Sequence, residues 1–391
     1  PPVADTAGED TEVKCWDTVQ LKYGKLLLEK QHPVLREYLE REIRIYQSIL
    51  EGLKAKDSDR IRQRKEELEQ IEDRVRTIGV LTSGGDAPGM NAAIRGVVKA
   101  AEYHGIEVYG IKRGYQGLID DEIKKLKYLD VDNIAELGGT ILKTARSMEF
   151  MEEAGRLKAV EVLKKHKIDN LVVVGGDGSF KGAAKLNKLG VKVIGLPGTI
   201  DNDLSYTNYC IGFDTALNTV LDSIGRIKDT GSSHEKGTIV EVMGRYCGDL
   251  ALYAAISGAG EMISTPEKKL SFDEICDRLQ KNINIGKNDN IVIVTERMYN
   301  MEELKKYIEE KLGIGIRTTV LGFVQRGGRP SGFDRMFAGK MAIKAVELLK
   351  NGISGKAIGL RDNKIIAVDF DKIDETPISK DEEYETVDML L

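Results

Sequence analysis

The feature that most constrains the fold is a series of short apolar runs separated by amphipathic helical patterns. The runs are rich in Val and Ile and lie at 77–82, 108–112, 170–176, 191–196, 238–244, 290–296 and 318–324. Continuous apolar strands that alternate with helices are typical of parallel sheets covered on both faces. We therefore predict an α/β chain with two doubly wound domains and mainly parallel sheets.

Composition excludes several classes of partner. With 41% hydrophobic residues, 31% charged residues and a net charge of -5, the chain has the profile of an ordinary globular protein, so we expect no nucleic-acid partner. The apolar runs are far shorter than the ~20 residues of a membrane span, so we expect no membrane partner. The four cysteines are scattered without a CxxC pair, which indicates neither a disulfide framework nor a zinc site and favours a reducing cytoplasm.

In open parallel sheets, ligands bind beyond the carboxyl ends of the strands. The first run is followed by the glycine loop TSGGDAPGMNAAIRGVV, which opens into a helix near Asn91. A helix N-terminus with free backbone N–H groups can bind a phosphate, although a tight strand-to-helix turn would look the same. The GxxxxGK[ST] motif of P-loop proteins is absent, and GxGxxG does not follow this strand.

The third run is followed by GGDGSFKGAAKL, in which glycines allow close approach to phosphates. A lone carboxylate among them suits Mg²⁺, which prefers one or two carboxylates together with substrate phosphates. Asp177 is therefore the predicted magnesium ligand. A helix N-cap is the structural alternative for this aspartate.

PGTIDND, at 197–203, follows the fourth run. Its carboxylates could accept the proton of an acceptor hydroxyl in a phosphoryl transfer, and we assign Asp201 as the base, with Asp203 as the alternative. We expect the two side chains to point in opposite directions along the segment, one facing substrate and the other metal or solvent. A plain turn is the alternative, because every residue type here favours turns.

Five motifs occur in one order: GVLTSGGDAPGMNAAIRG, GGDGS, LPGTIDND, VEVMGRYCGDLAL and TVLGFVQRGG. Together they resemble 6-phosphofructokinase of the bacterial ATP-dependent type over roughly residues 77–370. GGDGS alone is also similar to NAD kinases and lipid kinases. The resemblance implies phosphoryl transfer from ATP, with Mg²⁺, to the 1-hydroxyl of fructose 6-phosphate in glycolysis. We divide the chain into an ATP-binding domain (77–211 with 324–374) and a sugar-phosphate domain (212–323 with 375–391).

The resemblance also implies the site residues. Those for ATP and Mg²⁺ are Gly85, Arg146, Ser147, Gly176, Asp177, Gly178, Ser179 and Gly182. Those around the sugar's 1-hydroxyl and the transferring group are Thr199, Asp201, Asp203, Met243, Gly244 and Arg245. Those for the sugar hydroxyls and the 6-phosphate are Glu296, Lys236, Arg317, Phe323 and Arg326. Catalysis is assigned to Asp201, Asp203, Thr199 and Arg245.

Glycine at two positions favours ATP as the donor. Pyrophosphate-using members of the family have Asp where this chain has Gly178 and Lys where it has Gly198, and an Asp would place negative charge where the α-phosphate of ATP must lie. A pyrophosphate-dependent enzyme and a catalytically silent regulatory subunit are the alternatives. Retention of Asp177, Asp201 and Arg245 argues against the silent subunit.

The chain departs from the family pattern at the 6-phosphate clamp and at the effector site. Phe323 stands where a histidine is common, and Lys236 where an arginine is usual. Lys236 and Arg317 match residues that come from a neighbouring subunit, so we expect a homo-oligomer, at least a dimer and most consistent with a tetramer. The effector cluster matches Arg95, Lys99, Lys228, Glu261 and Lys287, with Tyr128, Ile285 and Asn288 replacing basic residues, so we predict weak or altered effector control.

Residues 1–76 lie outside the resemblance. Their apolar spacing predicts a helical hairpin, with Pro33 near the first helix start and Ser58 capping the second. Contacts between subunits, docking on the catalytic body and a solvated appendage are all compatible with this pattern.

Overall fold

The fold is given by a computed structural model that describes residues 77–375 and 377–391 and, before them, only Arg41 and Arg44. The hairpin expected over residues 1–76 lies outside the described residues. Residues 77–102 and 107–391 form one compact unit.

The larger sheet of this unit has seven strands. They are β1 (Thr77–Thr82), β2 (Glu107–Ile111), β3 (Ile123–Leu126), β4 (Asn170–Gly175), β5 (Lys192–Pro197), β10 (Lys356–Arg361) and β11 (Lys364–Asp369). Their order is β11-β10-β5-β4-β1-β2-β3, parallel throughout except for the antiparallel pairs at each edge, β2–β3 and β10–β11. Every residue of β1 and β4 is buried, which is why these strands read as unbroken apolar runs.

The smaller sheet has four strands. They are β6 (Gly237–Val242), β7 (Met262–Ser264), β8 (Ile291–Thr295) and β9 (Ile316–Val320). Their order is β7-β8-β6-β9, and all pairs are parallel. Val240 in the middle of β6 pairs with Ile293 on one side and Thr319 on the other.

Helices connect and cover the strands. They are α1 (Met90–Tyr103), α2 (Gly114–Ile119), α3 (Tyr128–Val131), α4 (Glu153–Lys165), α5 (Asp177–Lys188), α6 (Phe213–His234), α7 (Asp249–Ile256), α8 (Phe272–Asn284), α9 (Met301–Leu312), α10 (Gly332–Lys350) and α11 (Asp381–Leu390). Short 3-10 helices lie at Glu149–Met151, Gly322–Arg326 and Phe370–Lys372. Polar caps start several helices: Ser271 and Glu274 form a capping box on α8, and the Ser331 hydroxyl accepts from the Asp334 N–H at the start of α10.

Each sheet has its own buried cluster. Leu171 and Val173 of β4 pack in one cluster with Leu163 of α4 and Leu186 of α5. In the smaller sheet, strand residues such as Ile239 and Val292 pack with residues of α8 and α9, among them Ile275, Leu304 and Ile308. Helices therefore supply apolar cover to both sheets, and the predicted α/β class with mainly parallel sheets is confirmed.

The last apolar run is shorter as a strand than expected. β9 ends at Val320, and the following residues form the 3-10 helix Gly322–Arg326, because Gly322 takes a left-handed backbone with φ 57°. The sequence reading also missed β3 and β7, which are short, and β11, which has no buried residue. It missed β10 as well, although four of its six residues are buried. None of the described helices is long and apolar enough to cross a membrane.

Candidate active site

Three loops meet at one edge of the larger sheet. Strand register places Thr82 beside Val174 and Gly175 beside Pro197, so β1, β4 and β5 end side by side. The Ser83 N–H donates to the Val174 carbonyl at 2.9 Å. A Cβ on Gly175 would lie 2.4 Å from the Ser83 carbonyl oxygen, so this close approach of two loops requires glycine. The glycine-rich loops and PGTIDND therefore converge where parallel sheets bind ligands.

A cavity of about 570 Å³ lies at this edge. It is lined by every residue that the sequence assigned to the nucleotide, namely Gly85, Arg146, Ser147, Gly176, Asp177, Gly178, Ser179 and Gly182. It is also lined by the residues assigned to catalysis, Thr199, Asp201, Asp203 and Arg245. The two predicted groups thus share one space.

The N-terminus of α5 opens into this cavity. Gly176 is the N-cap, and Asp177 is the first helical residue, so the alternative role of Asp177 as the N-cap is wrong. Its half-exposed carboxylate lies 2.6 Å from Lys181 Nζ one turn later. Lys181 and Lys185 also line the cavity, and the sequence reading had not singled out either of them. Free N–H groups, the helix dipole and two ammonium groups make this wall attractive to phosphates.

Asp201 and Asp203 both face the same cavity. The expectation that they point to opposite sides is wrong, because even an extended segment places side chains two residues apart on the same face. The segment is in fact a turn, in which Asn202 has a left-handed backbone with φ 53°. The Oδ1 atoms of both aspartates are buried, and neither has a hydrogen-bond partner among the described residues. Unpaired buried oxygens are costly unless a ligand, ion or water satisfies them.

Burial raises the pKa of Asp201 to about 6, and the neighbouring Asp203 carboxylate adds to the effect. Arg245 opposes it, with Nε 3.8 Å from Asp201 Oδ2. Burial likewise raises the pKa of Asp203. Because an effective general base has a pKa near the working pH, this environment prepares Asp201 to take a proton.

The turn that follows β6 of the smaller sheet brings Arg245 to the same cavity. Glu296, directly after β8, accepts a hydrogen bond from the Arg245 backbone N–H at 3.1 Å. The Met243 N–H donates to Gln325 Oε1 at 3.1 Å. Gly244 has φ 136°, and a Cβ there would lie 2.3 Å from the Cys247 carbonyl oxygen. The turn 243–245 is thus fixed from two sides, and Arg245 is held at the cavity wall.

A family model described as phosphofructokinase matches residues 77–349. The chain belongs to the phosphofructokinase family. The ATP-dependent 6-phosphofructokinase of Clostridioides difficile (strain 630) is 51% identical over 317 residues, which is 81% of this chain and 99% of the relative. The enzyme of the same name from Clostridium novyi (strain NT) is 55% identical over 298 residues, 76% and 93% of the two chains. The resemblance carried by the five motifs is confirmed.

Solved structures of phosphofructokinases superpose on this chain. Phosphofructokinase from Saccharomyces cerevisiae superposes with a TM-score of 0.73 at 34% identity, over 80% of this chain and 50% of the yeast chain. This chain therefore spans half the length of the yeast one. A pyrophosphate-dependent phosphofructokinase from Marinobacter aquaeolei shares the fold, with a TM-score of 0.68 at 22% identity over 78% of this chain and 86% of that one.

A second cavity of about 140 Å³ contains three of the residues expected around the sugar in this phosphofructokinase: Met243, Glu296 and Phe323. Glu241 joins them, with a pKa raised by burial and by the charge of Glu296. Gly244, Lys236 and Arg317 line neither this cavity nor the larger one.

Arg326, expected at the 6-phosphate, lines the larger cavity instead of the smaller one. Its guanidinium comes within 3.4 Å of the point that a Cβ on Gly85 would occupy. The same guanidinium lies 5.4 Å from the ring centroid of Phe323, whose side chain is 79% exposed. Arg329, three residues after Arg326, forms an ion pair with Glu136.

The predicted effector residues lie elsewhere. Lys228 and Lys287 both approach Glu261 Oε1, at 3.6 and 3.2 Å. Lys99 Nζ lies 3.3 Å from the ring centroid of Tyr128, the residue that stands where the family commonly has arginine. The Arg95 Nε donates to the Asp132 carbonyl at 3.3 Å.

The residues present fit a nucleotide-bound magnesium ion. Within the described part of the chain, no group of three or more His, Cys, Asp or Glu side chains could hold a metal on its own. Mg²⁺ shared with substrate phosphates needs only one or two carboxylates. Asp177 presents one to the cavity, and the unpaired Oδ1 of Asp203 offers a second oxygen.

Sequence reasoning missed the residues that hold the site in shape. Gln325, fully buried, joins Met243 to the loop after β9, and the Asn202 side chain closes the turn that carries the two aspartates. Asn202 lies in the motif LPGTIDND and Gln325 in the motif TVLGFVQRGG, so membership of these motifs is the signal that could have identified them.

Proposed function

We propose that the chain transfers the terminal phosphoryl group of ATP to the 1-hydroxyl of fructose 6-phosphate, giving fructose 1,6-bisphosphate and ADP, a step of glycolysis. The observation that carries this proposal is the single cavity that joins the whole predicted nucleotide set to Asp201 and Arg245. Relatives 51% and 55% identical that are named ATP-dependent 6-phosphofructokinase support it.

In this reaction Asp201 accepts the proton of the sugar's 1-hydroxyl as the oxygen attacks the γ-phosphorus. Its unpaired, buried carboxylate oxygen and its raised pKa suit that role. Arg245 lies beside it and offsets the negative charge that spreads over the phosphoryl oxygens in the transition state. Mg²⁺, when bound with ATP, neutralises phosphate charge, and Asp177 would hold it.

The donor is ATP because the cavity wall has room for its α-phosphate at Gly178. A Cβ on Gly178 would have no atom within 4 Å, so an Asp side chain there would project freely into the space. Gly198 is different, since a Cβ there would lie 3.0 Å from Val174 Cγ1 and 3.2 Å from Met90 Cε. A lysine at this point would require repacking of buried neighbours.

The acceptor sugar lies against Met243 and Glu296 of the second cavity, with its 6-phosphate toward Arg326 of the larger one. This follows the proposed division into an ATP-binding domain (77–211 with 324–374) and a sugar-phosphate domain (212–323 with 375–391). The expected cytoplasmic setting fits the cysteines, because all three that the structure describes are free thiols.

Each sugar site is shared between subunits of a homo-oligomer, for which we favour a tetramer. Lys236 and Arg317 line neither cavity of their own chain, which is what a role in a neighbour's site requires. Mixing inactive Arg317→Ala subunits with inactive Asp201→Asn subunits tests the sharing. Recovered activity in reassembled hybrids supports it, and hybrids that stay inactive would place Arg317 outside the interface.

Effector control is weak or altered, because Lys228 and Lys287 are engaged by Glu261 and Lys99 by the Tyr128 ring. Lysines also lack the bidentate phosphate geometry of arginine. We expect a nearly hyperbolic fructose 6-phosphate curve. A strongly sigmoidal curve that ADP makes hyperbolic would contradict this.

ADP release from purified protein given MgATP and fructose 6-phosphate tests the main proposal. We expect ADP release that depends on fructose 6-phosphate. We also expect turnover with ATP to be faster than turnover with pyrophosphate. Faster turnover with pyrophosphate would favour the pyrophosphate-dependent alternative. A folded protein without turnover from either donor would favour the silent regulatory subunit.

A further inference from the structure

The turn that aims the two aspartates is held by the side chain between them. The Asn202 Nδ2 donates to the Asn208 carbonyl at 2.9 Å and to Asp249 Oδ2 at 2.7 Å. Its Oδ1 accepts from the Cys210 N–H at 2.8 Å. Since the Asn202 backbone is left-handed, these bonds fix a conformation that a non-glycine residue adopts uncommonly.

Asp249 is a buried charge that needs a partner. It is the first residue of α7 and is 3% exposed. Lys380 Nζ lies 3.0 Å from its Oδ2, the same oxygen that accepts from Asn202. An ionised carboxylate this deeply buried is tolerated when a cation and hydrogen bonds compensate it.

Lys380 comes from the far end of the chain, directly before α11. Its side chain is 22% exposed, and Nζ also donates to the Tyr253 hydroxyl at 3.4 Å. Lys380 therefore supplies the cation that compensates the buried Asp249 carboxylate, at the same oxygen that holds Asn202.

We infer that Lys380 is a positioning residue for catalysis: through Asp249 and Asn202 it holds the turn that directs Asp201 and Asp203 into the cavity. This inference rests on the proposed phosphoryl transfer. Lys380 touches neither substrate nor the reacting atoms, since it lies outside the residues that line the cavity.

Docking of α11 is separable from this link. The Tyr384 hydroxyl is hydrogen-bonded with Thr265 Oγ1 at 2.6 Å and donates to Glu267 Oε2 at 3.1 Å. Lys268 Nζ lies 3.6 Å from Asp388 Oδ2 on the same helix, and both side chains are exposed. These contacts attach α11 without using Lys380, so a control for loosened docking exists in the chain.

The test compares Lys380→Met, Lys380→Arg and the control Lys268→Met, with MgATP and fructose 6-phosphate. A well-placed general base accelerates a reaction roughly 10²- to 10⁴-fold, and a small displacement of that base loses only part of this acceleration. We therefore expect Lys380→Met to lower kcat about tenfold. The KM for ATP should stay within about twofold of wild type, because the nucleotide wall is untouched. Lys380→Arg should restore most of kcat, and Lys268→Met should leave it unchanged.

A second comparison identifies the route. In the Asp249→Asn background the amide oxygen still accepts from Asn202 but carries no charge, so adding Lys380→Met should cause no further loss of kcat. A further tenfold loss there would show that Lys380 acts by another route and would overturn the inference. If Lys380→Met alone does not fold, Asp249→Asn and the double variant, compared with each other, give the same decision.

The two proposals fail in different ways. Wild-type protein that releases no ADP overturns the proposed function. Active wild type with an equally active, folded Lys380→Met variant overturns only the role of Lys380. A fall in kcat that Lys268→Met reproduces would assign the effect to docking of α11 and would also overturn it.

Discussion

Arg245 Nε lies 3.8 Å from Asp201 Oδ2, across the boundary between the two sheets. Arg245 follows β6 of the smaller sheet, while Asp201 follows β5 of the larger one. The Arg245 backbone has φ 56° and is held by its N–H bond to Glu296. The guanidinium of Arg245, which favours the ionised form of Asp201, is therefore held in place by the smaller sheet, the one in the proposed sugar-phosphate domain.

Asp201→Asn should lower kcat roughly 10²- to 10⁴-fold, because the amide cannot accept the proton of the 1-hydroxyl. The KM values should change little, since asparagine keeps the shape of the side chain and the Asp201 N–H can still bond to Thr199 Oγ1. Steady-state kinetics checks this. Weakened binding with nearly normal turnover would make Asp201 a turn residue, and a larger loss of kcat in Asp203→Asn would transfer the role of base to Asp203.

The pH profile of kcat/KM should report the titration of the aspartate pair. The base must be ionised, and the pKa of Asp201 is raised to about 6, so kcat/KM should be constant above that value and fall as the pH is lowered through it. Asp203→Asn removes a neighbouring negative charge and should move the acidic limb to lower pH. Arg245→Met removes an opposing positive charge and should move it to higher pH. If the acidic limb of the kcat/KM profile lies at the same pH in both variants as in wild type, the titration belongs to another group.

Gly178→Asp should raise the KM for ATP about tenfold or more, because the new carboxylate projects into open space beside the expected phosphates and like charges repel. Gly332→Asp is the matched control, since that glycine also lies in the first turn of a helix, is exposed and has no atom within 4 Å of a Cβ position. The control should keep its KM. An unchanged KM in Gly178→Asp would mean that ATP does not pass this residue.

Phe323→His should lower the KM for fructose 6-phosphate and leave that for ATP nearly unchanged. A new charge-assisted hydrogen bond is worth about 1.5–3 kcal/mol, which corresponds to roughly tenfold or more. The change also removes the contact of the ring with Arg326. Because histidine is charged mainly below its pKa of about 6.5, the gain should be larger at pH 6 than at pH 8. Val324→His, at a neighbouring exposed position, should give no gain.

Local sequence signals were sufficient for the strands and loops around the nucleotide. The apolar run of β4, buried on every residue, and the glycines after it predicted both the strand and the wall of the cavity. The left-handed turn at Asn202 could not be predicted in this way, because its side chain bonds to Asp249, far along the chain.

Charged partners brought together by folding were also beyond local reading. Lys380 lies in a polar segment without a motif, and only the packing of α11 on α7 brings it to Asp249. Lys181 is a similar case, since its spacing of four residues from Asp177 is equally typical of a surface helix pair.

The pairing of β5 with β10 has a consequence for synthesis on the ribosome. β5 ends at Pro197 and β10 begins at Lys356, and the entire four-stranded sheet is encoded between them. That smaller sheet can pair its strands as soon as β9 has emerged, whereas one edge of β5 stays unpaired until β10 has also emerged. A nascent chain halted between Val320 and Lys356 should therefore expose β5 to chaperones and proteases while β6–β9 are already protected.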